Sequence, residues 1–246
     1  MKDFTHVAGF TDYMAIVANL IKQRVPNPIQ GTERKKILDM PAGNALLADH
    51  LRQNGFQVVC ADINKERPDY IYTNMEQRLP FADDSFDAVT CLEGIEHVID
   101  PCVLVGELAR VLKPGGTLII SMPNLQNFYS RLQFLFSGAF YQFEPEFTRH
   151  PRGEALDRGH ISSLSYVQLS YLCTDFGLTA KLVAGDRYKK KILLPVYGLL
   201  WLVNYCVLSV KISRTSSVEL ATMYTMLRST DLMLSRSLVT VWDKVA

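Results

Sequence analysis

The stretch from Lys35 to Asn64, KKILDMPAGNALLADHLRQNGFQVVCADIN, decides the fold. Ile37, Leu38 and Met40 form the short apolar run of a buried strand, and Pro41, Ala42 and Gly43 follow as a turn of small or pre-bent residues. A helix starts at Ala45, and Gln57 to Ala61 form a second strand that delivers Asp62 at its carboxyl end. A turn of small residues lets the backbone come close to a ligand, and the helix N-terminus behind it offers unpaired N–H groups. A carboxylate roughly 20 residues past such a turn stands where it can accept both hydroxyls of a ribose. Asp39, at the mouth of the turn, can meet a positive group on the same ligand. Strand, turn, helix, strand and acid together predict half of a nucleotide-type site.

Outward from this unit the chain keeps alternating. Thr11 to Arg24 carries Met14, Val17, Leu20 and Ile21 at helical spacing and stops at Pro26 and Pro28, which predicts a packing or lid helix within residues 1–31. Asp69 to Thr73 reads as a short third strand, Asn74 to Asp84 as a polar loop anchored by Leu79, Pro80 and Phe81, and Phe86 to Cys91 as a fourth strand. A helix over Val103 to Leu112 follows, and a KPGG turn at Lys113 to Gly116 launches a fifth strand, Thr117 to Met122. Ser163 to Phe176 predicts a helix stopped at Gly177, and Leu178 to Ala184 a sixth strand. This alternation predicts an α/β, Rossmann-like doubly wound sheet, mostly parallel, with helices on both faces. Ligands of such sheets bind beyond the carboxyl ends of the strands, where Asp39, Asp62, Asn74 and Glu93 all fall.

Composition sets the outer limits. The 246 residues, 48% of them apolar, suffice for one complete core, read as a single domain over 1–246. A net charge of +1 gives no reason to expect a nucleic-acid partner, since proteins that track a phosphate backbone carry a basic excess; small acceptors are favoured. The five cysteines are scattered, odd in number and mostly set among apolar residues. They predict reduced core thiols rather than disulfides or metal ligands, no bound metal, and a reducing compartment, the cytoplasm. The N-terminal MKDFTHVAGF lacks a charged start followed by an apolar core and cleavage site, so no signal peptide is expected.

Five segments taken together carry a family resemblance: DMPAGNA in the first turn, ADIN after the second strand, NMEQRLPFADDSFDAV before the fourth, LEGIEHVIDP after it, and ELARVLKPGGTLIISMPN to the end of the fifth. In this order and spacing they resemble class I S-adenosylmethionine-dependent methyltransferases, and most of all the branch with SFD, EHV and VLKPGG signatures, which includes quinone-ring and surface-glycan O-methyltransferases. The resemblance implies S-adenosylmethionine as cofactor and S-adenosylhomocysteine as product. It also implies an antiparallel last strand, matched by LVTVWDKV at Leu238 to Val245. By the same resemblance Asp39 faces the methionine amino group across the turn of Pro41, Ala42 and Gly43, and Asp62 takes the ribose diol. Ile63 packs on adenine, Asn74 accepts from the adenine amino group, the Met75 N–H meets a ring nitrogen, and Leu92 and Glu93 line the site, although Glu93 also reads as an ordinary solvated loop acid. The family turn has glycine at three alternating positions; here these are Pro41, Gly43 and Ala45, so Gly43 alone is expected to supply the unusual backbone angles.

Such a site moves an electrophilic methyl group to a nucleophile in line with the departing sulfur, and positioning carries most of the catalysis. A hydroxyl acceptor gains from a general base, for which histidine suits neutral pH. His97, in EHVIDP, and His160, in DRGHISSLS, are the candidates; the plainer readings are that His97 caps the following helix and that His160 bonds the loop backbone. Residues 124–160 form an aromatic-rich insertion on the substrate side, with Glu96, Asn124, Tyr129, Arg149 and Arg158 as candidate acceptor contacts. The arginines either clamp a phosphate or carboxylate or solvate a loop.

A second insertion, residues 187–235, precedes the last strand. Within it Ile192 to Val210, ILLPVYGLLWLVNYCVLSV, is uncharged and flanked by Lys189, Lys190, Lys191, Lys211 and Arg214. Roughly 19 such residues approach the length of a membrane span, but a single crossing would strand Leu238 to Val245 on the wrong side of the bilayer. Three readings stand: a helix buried against the domain, a homodimer contact, or an in-plane peripheral anchor at the inner face of the membrane. The expectation is a methyltransferase acting on oxygen of a small or lipid- or glycan-linked acceptor. N- or C-methylation, and a non-catalytic S-adenosylmethionine-binding regulatory or assembly protein, are the alternatives.

Overall fold

The computed structural model of the protein describes residues 9–26, 33–143, 159–188 and 194–245. Its strands are β1 (Lys36–Asp39), β2 (Gln57–Asp62), β3 (Ile71–Tyr72), β4 (Phe86–Leu92), β5 (Leu112–Pro123), β6 (Leu178–Gly185) and β7 (Ser237–Lys244). They form one sheet in the order β3-β2-β1-β4-β5-β7-β6. All pairings from β3 to β5 are parallel, and β7 runs antiparallel between β5 and β6, with Ser121 opposite Val239 and Pro123 opposite Ser237. The strand order reverses on either side of β1, so the crevice for a ligand opens at the carboxyl ends of β1 and β4.

Side chains alternate across the sheet, as a strand requires. Ile37, Val58, Ala88, Ile119 and Val241 face α1 (Asp12–Arg24) and α2 (Leu46–Gln53). Leu38, Val89, Leu118, Ile120 and Trp242 face α3 (Pro101–Val111) and α5 (Tyr166–Asp175). The helices begin where their caps dictate. The Thr11 hydroxyl accepts from Met14 N–H, Asp100 caps α3 with Pro101 at its first position, and Ser165 and Gln168 form a capping box on α5.

Two boundaries differ from the sequence reading. The third strand shrinks to Ile71–Tyr72, because its side chains are exposed and only the β2 edge pairs with it. The KPGG segment is an excursion within β5: the ladder pairs Phe86 with Leu112 and then Ala88 with Thr117, leaving Lys113 to Gly116 out of register. The insertions are α4 (Phe128–Ser137) after β5, and α6 (Leu194–Arg214), α7 (Val218–Leu227) and α8 (Thr230–Leu234) between β6 and β7. Of the three readings for the apolar segment, burial against the domain falls away. Val196, Leu199, Leu202, Val203, Val207 and Val210 are exposed, and among the described side chains of α6 only Tyr197 and Leu208 are buried.

Candidate active site

The turn after β1 is held from both sides. Met40 N–H donates to Thr90 O (3.0 Å) and Ala42 N–H to Ala61 O (3.1 Å), so the backbone leaves the sheet between β4 and β2. Gly43 is bound at both polar groups: its N–H donates to Asp62 Oδ2 (2.8 Å), and its carbonyl accepts from Asn64 Nδ2 (3.1 Å) and the Tyr70 hydroxyl (2.9 Å). The other Asp62 oxygen accepts from Asn64 N–H (2.9 Å). A carboxylate offers about four lone-pair sites, so acceptor capacity remains for a diol.

Gly43 takes φ 54°, as expected, but it does not carry the turn alone: Ala45, the residue before α2, has φ 61° and no side-chain cap. A left-handed alanine stores strain of about 1 kcal/mol, offset here by the Ala45 N–H to Ala42 O bond (2.8 Å) and full burial of its methyl. Pro41, at the first missing glycine position, is accommodated by a glycine elsewhere. A Cβ on Gly94 would lie 2.5 Å from Pro41 Cδ, so the first turn and the loop after β4 interlock.

Asp39 is 2% exposed and accepts from the Thr90 hydroxyl (2.7 Å). Burial pushes its carboxyl up to about 7; Asp62 adds to the rise, and Thr90 and Arg52 oppose it. Among the described residues no side-chain cation pairs with it. A buried acid beside a backbone-lined turn, with a second acid one strand away, is an acceptor set suited to a ligand carrying an ammonium group and a ribose. S-adenosylmethionine has both, and the residues fit it.

The other cofactor candidates are distributed as the strand ends require. Ile63 is half-buried beside Asp62, Leu92 is buried, and Met75 packs its side chain against the core. Asn74 Oδ1 accepts from Glu76 N–H (2.9 Å), which closes a local turn and leaves one lone pair for a ligand. Glu93 is not an ordinary solvated loop acid. It has φ 46°, its N–H donates to Ser121 O (3.1 Å) and Ser121 Oγ (3.0 Å), and its Oε1 accepts from that hydroxyl (3.0 Å). Burial raises its carboxyl above the usual range, while Arg236 and His97 pull it down.

The fold brings the two candidate histidines together. Glu96 carbonyl accepts from Ile161 and Ser162 N–H (2.9 Å each), which pins the returning chain to the 3-10 turn Ile95–His97. The His97 and His160 rings then meet edge to face at 5.0 Å. The cap reading for His97 fails, because Asp100 caps α3, accepting at Oδ1 from Cys102 N–H (3.0 Å) and Val103 N–H (3.3 Å). The backbone-bond reading for His160 holds: Nδ1 lies 2.7 Å from Gln142 O. A carbonyl only accepts, so Nδ1 carries the proton and Nε2 the lone pair of the neutral ring. Glu96, 1% exposed, completes a group whose ligand atoms with His97 and His160 lie within 4.8 Å of one another. Such a carboxylate and two imidazoles can hold a divalent ion, a grouping the sequence, read for cysteine clusters, did not reveal.

One acceptor candidate is corrected. Asn124 is buried, donates from Nδ2 to Leu232 O (2.7 Å) and Ser235 O (3.0 Å), and accepts at Oδ1 from Gln126 N–H (3.0 Å). Both amide protons are spent on joining the end of β5 to the α8–β7 corner, so Asn124 is a structural clamp. Tyr129, on α4, stands edge to face with Tyr141 at 5.2 Å. Arg149 and Arg158 lie outside the described residues.

Three groups at this edge escaped the sequence reading. Tyr13 of α1 is buried, and its phenol is raised by burial and by Glu93. Asp186 Oδ1 accepts from the N–H groups of Arg236 (3.1 Å) and Ser237 (2.9 Å), and Arg236 has a buried Nε with no hydrogen-bond acceptor among the described residues. No local motif marks them; only the antiparallel β6–β7 pairing carries Asp186 and Arg236 to the carboxyl edge.

Comparison with known proteins bears on the family and the fold. A family model described as a methyltransferase domain matches residues 13–182. The ubiquinone biosynthesis O-methyltransferase of Aliivibrio fischeri is 32% identical over 104 residues, covering 37% of this chain and 44% of that protein. The protein of the same name from Xanthomonas oryzae pv. oryzae is 35% identical over 103 residues, covering 36% and 43%. The chain thus spans less than half the length of these curated relatives. Among solved structures, a SAM-dependent methyltransferase from Archaeoglobus fulgidus gives a TM-score of 0.55 at 13% identity, covering 94% of both chains. The 1,6-didemethyltoxoflavin-N1-methyltransferase of Burkholderia thailandensis gives 0.54 at 11%, covering 95% of this chain and 78% of that one. At these identities the likeness is one of fold.

Proposed function

This chain belongs to the methyltransferase-domain family, and from that premise we propose that it moves a methyl group from S-adenosylmethionine to an oxygen of a small or lipid- or glycan-linked acceptor. The observation that carries the reading is the continuity of one edge: the Asp39, Gly43 and Asp62 turn opens at the same strand ends as the His97 and His160 pair. The cofactor, when bound, supplies an electrophilic methyl group. Asp39 holds its ammonium group, Asp62 its ribose hydroxyls, and Glu93, fixed by Ser121, lines the passage between cofactor and acceptor. His160 takes the acceptor proton at Nε2, its ring oriented by the Nδ1–H bond to Gln142 O and the edge contact with His97. Arg236, with Nε buried and unbonded, is the described cation best disposed to meet a negative acceptor group. All five cysteines are free, which supports a reducing, cytoplasmic setting.

The O-methyltransferase names of the sequence relatives support oxygen over nitrogen or carbon, as does a histidine base, which a neutral amine acceptor needs less. The test is transfer of a labelled methyl group to catechol and hydroxyquinone acceptors by wild type and His160→Ala. The expected result is a rate lowered about 100-fold or more with cofactor affinity kept. Unchanged turnover would remove His160 as base, and cofactor binding without product from any acceptor would favour a regulatory or assembly role.

A further inference from the structure

We propose that α6 is a docking face for an anionic phospholipid surface, lying in the plane of the bilayer. The helix has 21 residues, and the sequence from Leu194 to Val210 contains no charge. A helix apolar around its whole circumference needs an apolar environment on every side. The protein supplies one side only. Tyr197 packs with its ring tilted against Phe128 of α4 at 5.6 Å, Trp201 and Leu200 join the same small cluster, and Asn204 Nδ2 reaches Met233 Sδ at 3.2 Å. The opposite arc stays open, with Leu199 67% exposed, and α4 beside it leaves Leu135 and Phe136 (84%) exposed as well.

Charge identifies the occupant. From Arg187 to Val218 the sequence carries six cations, Arg187, Lys189, Lys190, Lys191, Lys211 and Arg214, and no carboxylate, although the whole chain has a net charge of only +1. The basic excess is therefore concentrated in the stretch of sequence that carries the apolar helix, Lys189 to Lys191 lying outside the described residues, while the remainder of the chain is net acidic. A second copy of this chain would set these cations against their own equivalents, in either orientation, with no acid in the segment to pair with them. An anionic lipid surface meets both features at once, accepting the apolar arc at the headgroup boundary and the cations among phosphates.

The topology selects an in-plane arrangement over a span. β6 and β7, on either side of the insertion, pair within one sheet. After α6 neither α7, whose ten residues reach about 15 Å, nor α8, with five, is long enough to recross a hydrocarbon core of about 30 Å as a helix. Because the cluster under α6 is built on α4, which begins just beyond the end of β5, docking would bring the acceptor edge of the sheet toward the lipid surface.

The experiment is co-flotation of the full chain with phosphatidylcholine vesicles made with and without phosphatidylglycerol, alongside sedimentation without lipid. The proposal expects flotation with the anionic vesicles only, reduced by salt. A Leu199→Asp/Val203→Asp variant should lose at least about tenfold in bound fraction, and Lys211→Glu/Arg214→Glu should weaken binding to the same anionic vesicles. Both variants alter exposed positions, and an unchanged melting temperature checks that they fold. No flotation with either composition would overturn the proposal, as would flotation indifferent to phosphatidylglycerol. A dimer in solution that Leu199→Asp/Val203→Asp dissociates, without vesicle binding, would assign the face to a second copy. The readout is binding alone, so failure here leaves the methyl-transfer reading intact, and failure of that reading leaves this one intact.

Discussion

The two ends of the carboxyl edge are built by different means. At the β1–β2 end, the bonds that fix Gly43 all come from residues within thirty positions of it, Asp62, Asn64 and Tyr70, with Thr90 and Gly94 of the β4 side bracing the turn from behind. At the β5–β7 end, Asn124 reaches Leu232 and Ser235, more than a hundred positions later, and Glu96 receives Ile161 and Ser162. The first end is a local device that one sequence window encodes. The second exists only once β7 has inserted between β5 and β6, so its chemistry can vary without disturbing the cofactor turn.

Four perturbations probe the contrast, in order of expected size. Asp62→Ala removes a carboxylate that accepts two backbone N–H bonds, and charge-assisted bonds are worth about 1.5 to 3 kcal/mol each. It should lower stability by about 3 to 5 kcal/mol in urea unfolding and abolish cofactor binding in calorimetry; wild-type values on both counts would break the local-device account. Asn124→Ala leaves two carbonyls and one N–H without their amide partner, a loss of about 3 kcal/mol at roughly 1 kcal/mol per bond. If Asn124 instead bound acceptor, KM would rise with stability unchanged.

Gly94→Ala should cost about 2 kcal/mol, because its methyl group meets the Pro41 ring 2.5 Å away. Pro41→Gly in the same chain should restore most of that, and additive losses in the double-mutant cycle would show that the two loops do not interlock. The smallest effect is one of pH. With its carboxyl raised to about 7, Asp39 is largely neutral below that pH and cannot pair with an ammonium group. Cofactor affinity should therefore rise with pH by up to about tenfold per unit below 7, level off above it, and lose this slope in Asp39→Asn. In the ligand-free protein the sign is opposite for stability. The folded state holds the Asp39 proton more tightly than the unfolded chain, so this contribution is full below about 4 and is lost as pH rises toward 7.

The same division explains what could be read in the sequence. Ile37 and Leu38 show the sheet's two faces because each packs on a different helical layer, and Asp62 follows its strand by position alone. Even locally the reading missed Ala45, since nothing about an alanine signals a left-handed angle that its neighbours impose. At the far end periodicity had nothing to offer. Asn124, expected to meet acceptor, turned out to be consumed by a corner formed in the last tenth of the chain, and Asp186 and Arg236 converge through strand pairing while α1 brings in Tyr13. His97 and His160 were each recognisable as candidates, but their 5.0 Å contact depends on the two backbone bonds to Glu96.

The most direct test of the account is a calorimetric titration of S-adenosylmethionine into wild type, Asp39→Asn and Asp62→Ala at pH 7.5. The account predicts one-to-one binding by wild type, weaker binding by Asp39→Asn, and none by Asp62→Ala. No binding by wild type, or equal binding by all three proteins, would contradict it.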